Sequence, residues 1–293
     1  MQDFPLLVGL CLIPGIGGVT LRALLNHFGS VRAITNAPDR ALLAVRGVGP
    51  RILAGIRAID EDTIRARLEE WQQAGITLLT WSDLRYPEQL YHMHDAPPLL
   101  YCRGRALPLP DRPAVAIVGT RHPSGHARQT AEALGEALAQ RGWLVVSGLA
   151  WGVDMAAHSG ALRSGPTVAI LGGGVDRVQP RKGALAARIM AHGLLCSEQP
   201  PGTPPGPAGL VARNRLISGL SKAVIVVEAG EESGSMYTAR FAQEQGRPLL
   251  AVDTASTGNQ ALIQQGAYAI PRINWDADAL DALLRQITST PPD

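Results

Sequence analysis

Val115-Ala116-Ile117-Val118-Gly119-Thr120-Arg121 opens with four apolar residues in a row and stops on a glycine. A strand with one wet face would alternate, so a short, uninterrupted apolar run reads as a strand buried on both faces. A helical stripe follows over 127–141, with Ala131, Leu134 and Leu138 on one face and Gly142 as its stop. The unit then repeats. Trp143-Leu144-Val145-Val146-Ser147 ends at Gly148, and Val168-Ala169-Ile170-Leu171 ends at Gly172-Gly173-Gly174. Leu194-Leu195-Cys196-Ser197 runs into a Pro/Gly loop over 200–209. Ala223-Val224-Ile225-Val226-Val227 ends at Glu228-Ala229-Gly230 and precedes a helix over 235–245, and Leu249-Leu250-Ala251-Val252 is the last clear strand. Buried strands alternating with helices predict an α/β fold, a Rossmann-like doubly wound and mainly parallel sheet, over residues 75–287.

Residues 1–74 read as a separate all-helical domain carrying an internal repeat. Gly15-Ile16-Gly17 and Gly47-Val48-Gly49 each follow an apolar stretch and precede a helical stripe, and a polar helix over 59–74 stops at Gly75. The repeat resembles a helix-hairpin-helix or SAM-like module. Its turns either expose backbone N–H groups to a phosphate or simply close two helical hairpins; small domains of this kind also serve as protein-interaction modules. Ile76–Trp81 reads as a strand, followed by Pro97-Pro98-Leu99-Leu100-Tyr101 and a Pro-rich connector over 108–113.

The 293 residues suffice for two domains, and 46% apolar with 18% charged residues is a globular balance. Lys182 and Lys222 are the two lysines; the other 25 of the 27 basic residues are arginine, the better phosphate fork. A net charge of +2 means that any nucleic-acid site must draw on local charge. Cys11, Cys102 and Cys196 show no zinc or disulfide spacing and fit a reducing, cytoplasmic compartment. The first residues lack a signal-peptide pattern, and the longest apolar runs are of strand length, so no membrane span is expected.

Ligands of such sheets sit beyond the carboxyl ends of the strands. There the chain places Gly119-Thr120-Arg121, Ser147-Gly148, Gly172-Gly173-Gly174 and Ser233-Gly234-Ser235. One glycine turn is often a steric need; several on one edge form a candidate anion-binding lip. No dinucleotide fingerprint or Walker sequence occurs, so NAD and ATP are disfavoured and no cofactor is expected. Arg213-Asn214-Arg215 sets two guanidiniums around an amide at a helix start, a pattern suited to phosphate, with one arginine expected to pair with Glu198 or Glu228. Arg121, near Arg128, and Arg177, Arg181 and Lys182 add local charge. Asp154 and His158 lie one helical turn apart and could hydrogen-bond, more as structural groups than as acid and base. No metal-ligand set and no catalytic residue is assigned.

These motifs, in this order, resemble those of the DNA-processing protein DprA (Smf) family: Val115 to Arg121, Val146 to His158, Arg213 to Arg215, and Val227 to Ala229 with Ser233 to Ala239. The resemblance runs from about Tyr86 to Ile270. It implies a cytoplasmic, non-catalytic single-stranded DNA-binding protein of natural transformation, one that protects incoming strands, loads a RecA-type recombinase and forms a homodimer. It also implies that Arg121, Gly148, Arg213, Arg215 and the Ser233–Ser235 turn line the DNA groove. Three departures stand out. Gln179-Pro180 replaces a usual Tyr-Pro, Leu210-Val211 replaces an aromatic-Pro pair, and Asp253-Thr254 replaces Pro-Gly. With 4% aromatic residues and no stacking aromatic at those positions, phosphate contacts are expected to dominate. Many members carry a C-terminal winged-helix domain; a chain stopping at Pro291-Pro292-Asp293 is expected to lack it or to have lost it. The alternative is a nucleoside-monophosphate phosphoribohydrolase-like enzyme, for which Glu244 is the first carboxylate available after the Ser233 turn. A third reading is a protein-interaction scaffold.

Overall fold

The computed structural model describes residues 3–105 and 112–289, so most of the expected connector over 108–113 lies outside the described residues. Six helices come first: α1 (Phe4–Cys11), α2 (Gly18–Phe28), α3 (Val31–Asn36), α4 (Asp39–Leu43), α5 (Pro50–Arg57) and α6 (Glu61–Gln73). The two Gly-x-Gly turns join α1 to α2 and α4 to α5. Gly15 at φ +102° and Gly47 at φ +92° adopt the left-handed backbone that side chains disfavour. The hairpins interlock, since Ile52 of the second covers Gly15 of the first and Ile13 of the first covers Gly55 of the second. Ile64 and Trp71 of α6 pack with Val8 against Leu99 and Tyr101, which seats the helices on one end of the sheet.

The rest alternates strand and helix: β1 (Thr77–Thr80), α7 (Glu88–Tyr91), β2 (Leu99–Gly104), β3 (Ala114–Val118), α8 (Gly125–Gln140), β4 (Leu144–Ser147), α9 (Val153–Ala161) and β5 (Thr167–Ile170). A 3-10 turn at Pro180–Lys182 leads into α10 (Gly183–His192) and β6 (Leu194–Ser197). Then come α11 (Pro207–Ala212), α12 (Asn214–Leu220), β7 (Ala223–Val226), α13 (Gly234–Glu244), β8 (Leu249–Val252), α14 (Thr257–Gln264), β9 (Tyr268–Ile270) and α15 (Ala277–Ser289).

Among the described residues nine strands form one sheet in the order β1-β2-β6-β5-β4-β3-β7-β8-β9. Only the β1–β2 and β2–β6 pairs are antiparallel. Period-two alternation divides β3 between two layers. Val115 and Ile117 face Leu134, Leu138 and Ala157 of α8 and α9, whereas Ala116 and Val118 face Leu216 and Ile217 of α12. From β3 the chain winds one way through β4, β5 and β6 and the other way through β7, β8 and β9. The carboxyl end of β3 is therefore the topological switch point, where a doubly wound sheet opens its crevice.

Two elements differ from the sequence expectation. β2 follows directly on Pro97-Pro98, in a transitional segment to which the sequence assigns no strand. It also brings Cys102 opposite Cys196, with the Sγ atoms 3.5 Å apart and both thiols free and buried. β9 follows Leu249–Val252 as a short edge strand with Tyr268 exposed, so no apolar run announces it.

Candidate nucleic-acid interface

The carboxyl ends of β3, β4, β5 and β7 surround two adjoining concavities. The first is a cavity of about 170 Å³ between the β4–α9 loop and the Gly172–Gly174 turn, lined also by Arg121, Arg177, Gln179, Lys182 and Leu210. The second, of about 600 Å³, runs from Gly119–Arg121 past Val211 to Ser233–Ser235. Arg121, Ala150, Leu210 and Arg213 line both, so the two form one groove with a partition.

Arg213 lies beneath that partition. Its Nη1 donates to the Ile170 carbonyl at 2.7 Å and its Nε to that of Leu210 at 3.3 Å. Its Nη2 is 4.0 Å from Asp154 Oδ2, with both side chains buried. Burial pulls the Arg213 pKa down and pushes that of Asp154 up, each only partly offset by the other's charge. Asp154 also accepts from the N–H groups of Gly148 and Ala150, at 3.1 and 3.2 Å. Those amides flank Leu149, a buried non-glycine residue at φ +52°. The left-handed conformation costs roughly 1–2 kcal/mol, and the Asp154 clamp is what holds it. Asp154 is thus tied to the backbone and to Arg213, not to His158 as expected.

His158 is sealed in the core. Thr167 Oγ1 donates to the Val145 carbonyl, so His158 Nδ1 must donate to Thr167 Oγ1, at 2.8 Å. Nε2 is left as a bare acceptor. Protonating it would bury a charge without a partner near Arg213, and burial first, then Arg213, lowers the His158 pKa from 6.5 to about 3. The unfolded chain takes up this proton near pH 6.5 and the folded one does not. The stabilisation from His158 is therefore complete above pH 6.5 and is lost as the pH falls towards 3. Urea midpoints are expected to show a loss of about 2 kcal/mol between pH 7 and pH 5, most of it absent from His158→Gln.

The glycine-rich turns do not all leave room for phosphate. A Cβ on Gly148 would overlap the Arg213 guanidinium, and on Gly119 it would strike Val153 and the Glu228 carbonyl. At Gly172, Gly173 and Gly174 the space a Cβ would take is filled, mainly by the backbone of the 200–210 loop, although all three still line the first cavity. Gly234 meets nothing within 4 Å and faces the second concavity. Beside it Ser233 Oγ and Ser235 Oγ share a hydrogen bond of 2.9 Å, and Asn214 Nδ2 donates to the Gly234 carbonyl at 3.1 Å.

Three expected groove residues, Ser147, Arg215 and Arg181, lie elsewhere. Ser147 is fully buried, its hydroxyl donating to the Ile117 carbonyl at 2.6 Å. Arg215 pairs with Asp95 at 2.8 Å and Glu198 at 2.6 Å and lines a separate cavity with His92, Phe241 and Glu244. Two residues advance a helix by about 200°, so Arg213 and Arg215 leave opposite faces; the alternate spacing would align them only in a strand. Glu228 receives Ser124, Oγ to Oε2 at 2.6 Å, rather than an arginine. Thr120 lines the second concavity, its Oγ1 accepting from the His122 N–H at 3.2 Å. Arg121 is exposed on the rim and has no carboxylate partner among the described residues. Lys182 donates to the Leu149 carbonyl at 2.7 Å. Burial lowers its pKa; Asp154 opposes the fall, and Arg213 and Arg121 add to it. Three cations thus converge on one space. Arg181 is exposed on the 3-10 turn but lines neither concavity.

The family model for DNA recombination-mediator protein A matches residues 77–280. The chain belongs to the DprA family. It is 37% identical over 282 residues to protein Smf of a Synechocystis species, covering 92% of this chain and 71% of that one. The structure of DprA from Streptococcus pneumoniae superposes with a TM-score of 0.81 at 30% identity, covering 96% of this chain and 98% of its own. DprA from Helicobacter pylori, whose structure describes a single-stranded DNA binding mode, gives a TM-score of 0.64 at 32% identity over 72% of this chain and 96% of its own. Two of the three departures from the family pattern fall on the same groove, and Asp253-Thr254 lines neither concavity. Gln179 lines the first cavity, Leu210 stands on the partition and Val211 borders the second concavity.

Two residues that the sequence reading passed over shape this site. Asn259, fully buried, ties the ends of β7 and β8 together. Trp151 stands 41% exposed at the mouth of the first cavity. A single aromatic inside a small-residue motif carries no period that would have marked it.

Proposed function

We propose that the groove binds single-stranded DNA mainly by its backbone, that the protein does so in the cytoplasm as a homodimer, and that it shields incoming strands and passes them to a RecA-type recombinase during natural transformation. On this reading residues 1–74 are a separate module and 75–287 carry the strand. The observation that carries the reading is the pair of joined concavities with Arg213 beneath, Arg121 on the shared rim and Lys182 alongside. A narrow crevice at a sheet edge suits a flexible strand, which can follow it, better than a rigid duplex. The Helicobacter pylori relative supports the same ligand class.

The protein acts by binding rather than by chemistry on the DNA. Glu244, the carboxylate a phosphoribohydrolase would need, lines the separate cavity with Arg215, away from the Ser233 turn. Asp154 and His158 are buried and engaged by the fold.

Contacts to phosphate release counterions, so affinity should fall steeply with salt. In anisotropy titrations with labelled oligothymidylate, Arg121→Ala is expected to reduce the slope of log affinity against log salt by about 1. Arg215→Ala should leave the slope unchanged, its guanidinium being spent on Asp95 and Glu198. An unchanged slope for Arg121→Ala would remove the rim from the binding path.

A further inference from the structure

We infer that the first cavity is a base-stacking subsite and that Trp151 is its platform; this rests on the single-strand reading above and names which part of the nucleotide the cavity takes.

The indole is a large apolar group left 41% exposed on a loop at the mouth of a concave, cationic site. Its backbone is fixed on both sides. The Ala150 N–H is held by Asp154, and Gly152, at φ +83°, is packed so closely on Thr120 and Pro123 that a Cβ there would collide with both. The ring is therefore presented by a rigid support, and ordering it on binding loses little freedom. The Lys182 ammonium, anchored on the Leu149 carbonyl, lies 5.7 Å from the ring centroid, and Arg121 and Arg177 line the same cavity. A flat π-face beside cations that reach phosphate is the arrangement that holds a single-stranded nucleotide. Gln179, at the position where the family resemblance expects tyrosine, lines this cavity too. On this proposal the aromatic absent from that wall is supplied from the facing loop, beside phosphate contacts that still dominate.

The test compares an oligothymidylate with an abasic strand of equal length, which keeps the phosphates and lacks the bases. Trp151→Ala is expected to bind oligothymidylate about five- to 150-fold more weakly than the parent protein and the abasic strand equally well. Trp151→Phe should recover most of the loss, and the melting temperatures of both variants should match the parent's because the ring is half out of the fold. Parent-like binding of oligothymidylate by Trp151→Ala, or an equal loss on both strands, overturns the stacking assignment while leaving the single-strand reading intact. A parent protein that binds neither strand overturns both.

Discussion

Arg213→Ala is expected to lower folding stability by about 3–5 kcal/mol and to abolish most single-strand binding in whatever fraction stays folded. The guanidinium is buried, and its removal leaves the Ile170 carbonyl without its donor and Asp154 without its countercharge. Burial already pushes the Asp154 pKa up, so losing Arg213 leaves the carboxylate relying chiefly on two backbone N–H groups. The Leu149 turn that Asp154 clamps should loosen, and with it the wall of the first cavity. Asp154→Asn in the Arg213→Ala background removes the stranded charge and should restore part of the stability, although not the binding. Urea unfolding of the four proteins in this cycle measures the coupling directly. A loss below about 1 kcal/mol for Arg213→Ala would mean that the guanidinium does not compensate Asp154.

Asn259→Asp should be nearly as damaging, at about 3 kcal/mol or more. Asn259 Nδ2 donates to the carbonyls of Val226, Val227 and Val252 at 2.8–3.1 Å. Its Oδ1 accepts from the Ala229 N–H at 2.8 Å and from Ser256 Oγ at 3.1 Å. A carboxylate in its place would set an oxygen against three carbonyl oxygens in a site closed to water. Asn259→Ala should cost somewhat less, since it removes the donor without adding repulsion. Because Ala229 begins the turn that leads to Ser233–Ser235, amide exchange should quicken at Ala229 and Val252 before it does in β3. Parent-like thermal midpoints for Asn259→Asp would contradict this account of the strand ends.

The fold was legible because β3, β4, β5, β7 and β8 are buried on both faces, and burial on both faces writes itself as an unbroken apolar run. β9 is an exposed edge and leaves no such mark, whereas β2 does carry the run Leu99-Leu100-Tyr101-Cys102, behind two prolines that read as a break. The site was legible in outline, since the switch point follows from strand order. Its detail was not. Gly148, Gly119 and Gly172–Gly174 read as phosphate cradles, and they do line the groove, but each also lacks a side chain because Arg213, Val153 or the 200–210 loop fills the Cβ position. Sequence shows that a side chain is missing and cannot show which neighbour displaced it. Arg213 and Arg215 separate because the backbone there is helical, and Cys102 meets Cys196 because β2 joins the sheet antiparallel beside β6.

The proposed function puts a single strand in the groove over Arg213. Titrating the protein with single-stranded and duplex DNA of equal length at one salt concentration, alongside the Arg121→Ala/Lys182→Ala double variant, decides whether it binds there. The parent is expected to bind the single strand more tightly than the duplex, and the double variant to lose most of that binding. Equal or tighter binding of the duplex, or an undiminished single-strand affinity in the double variant, would contradict the proposed function.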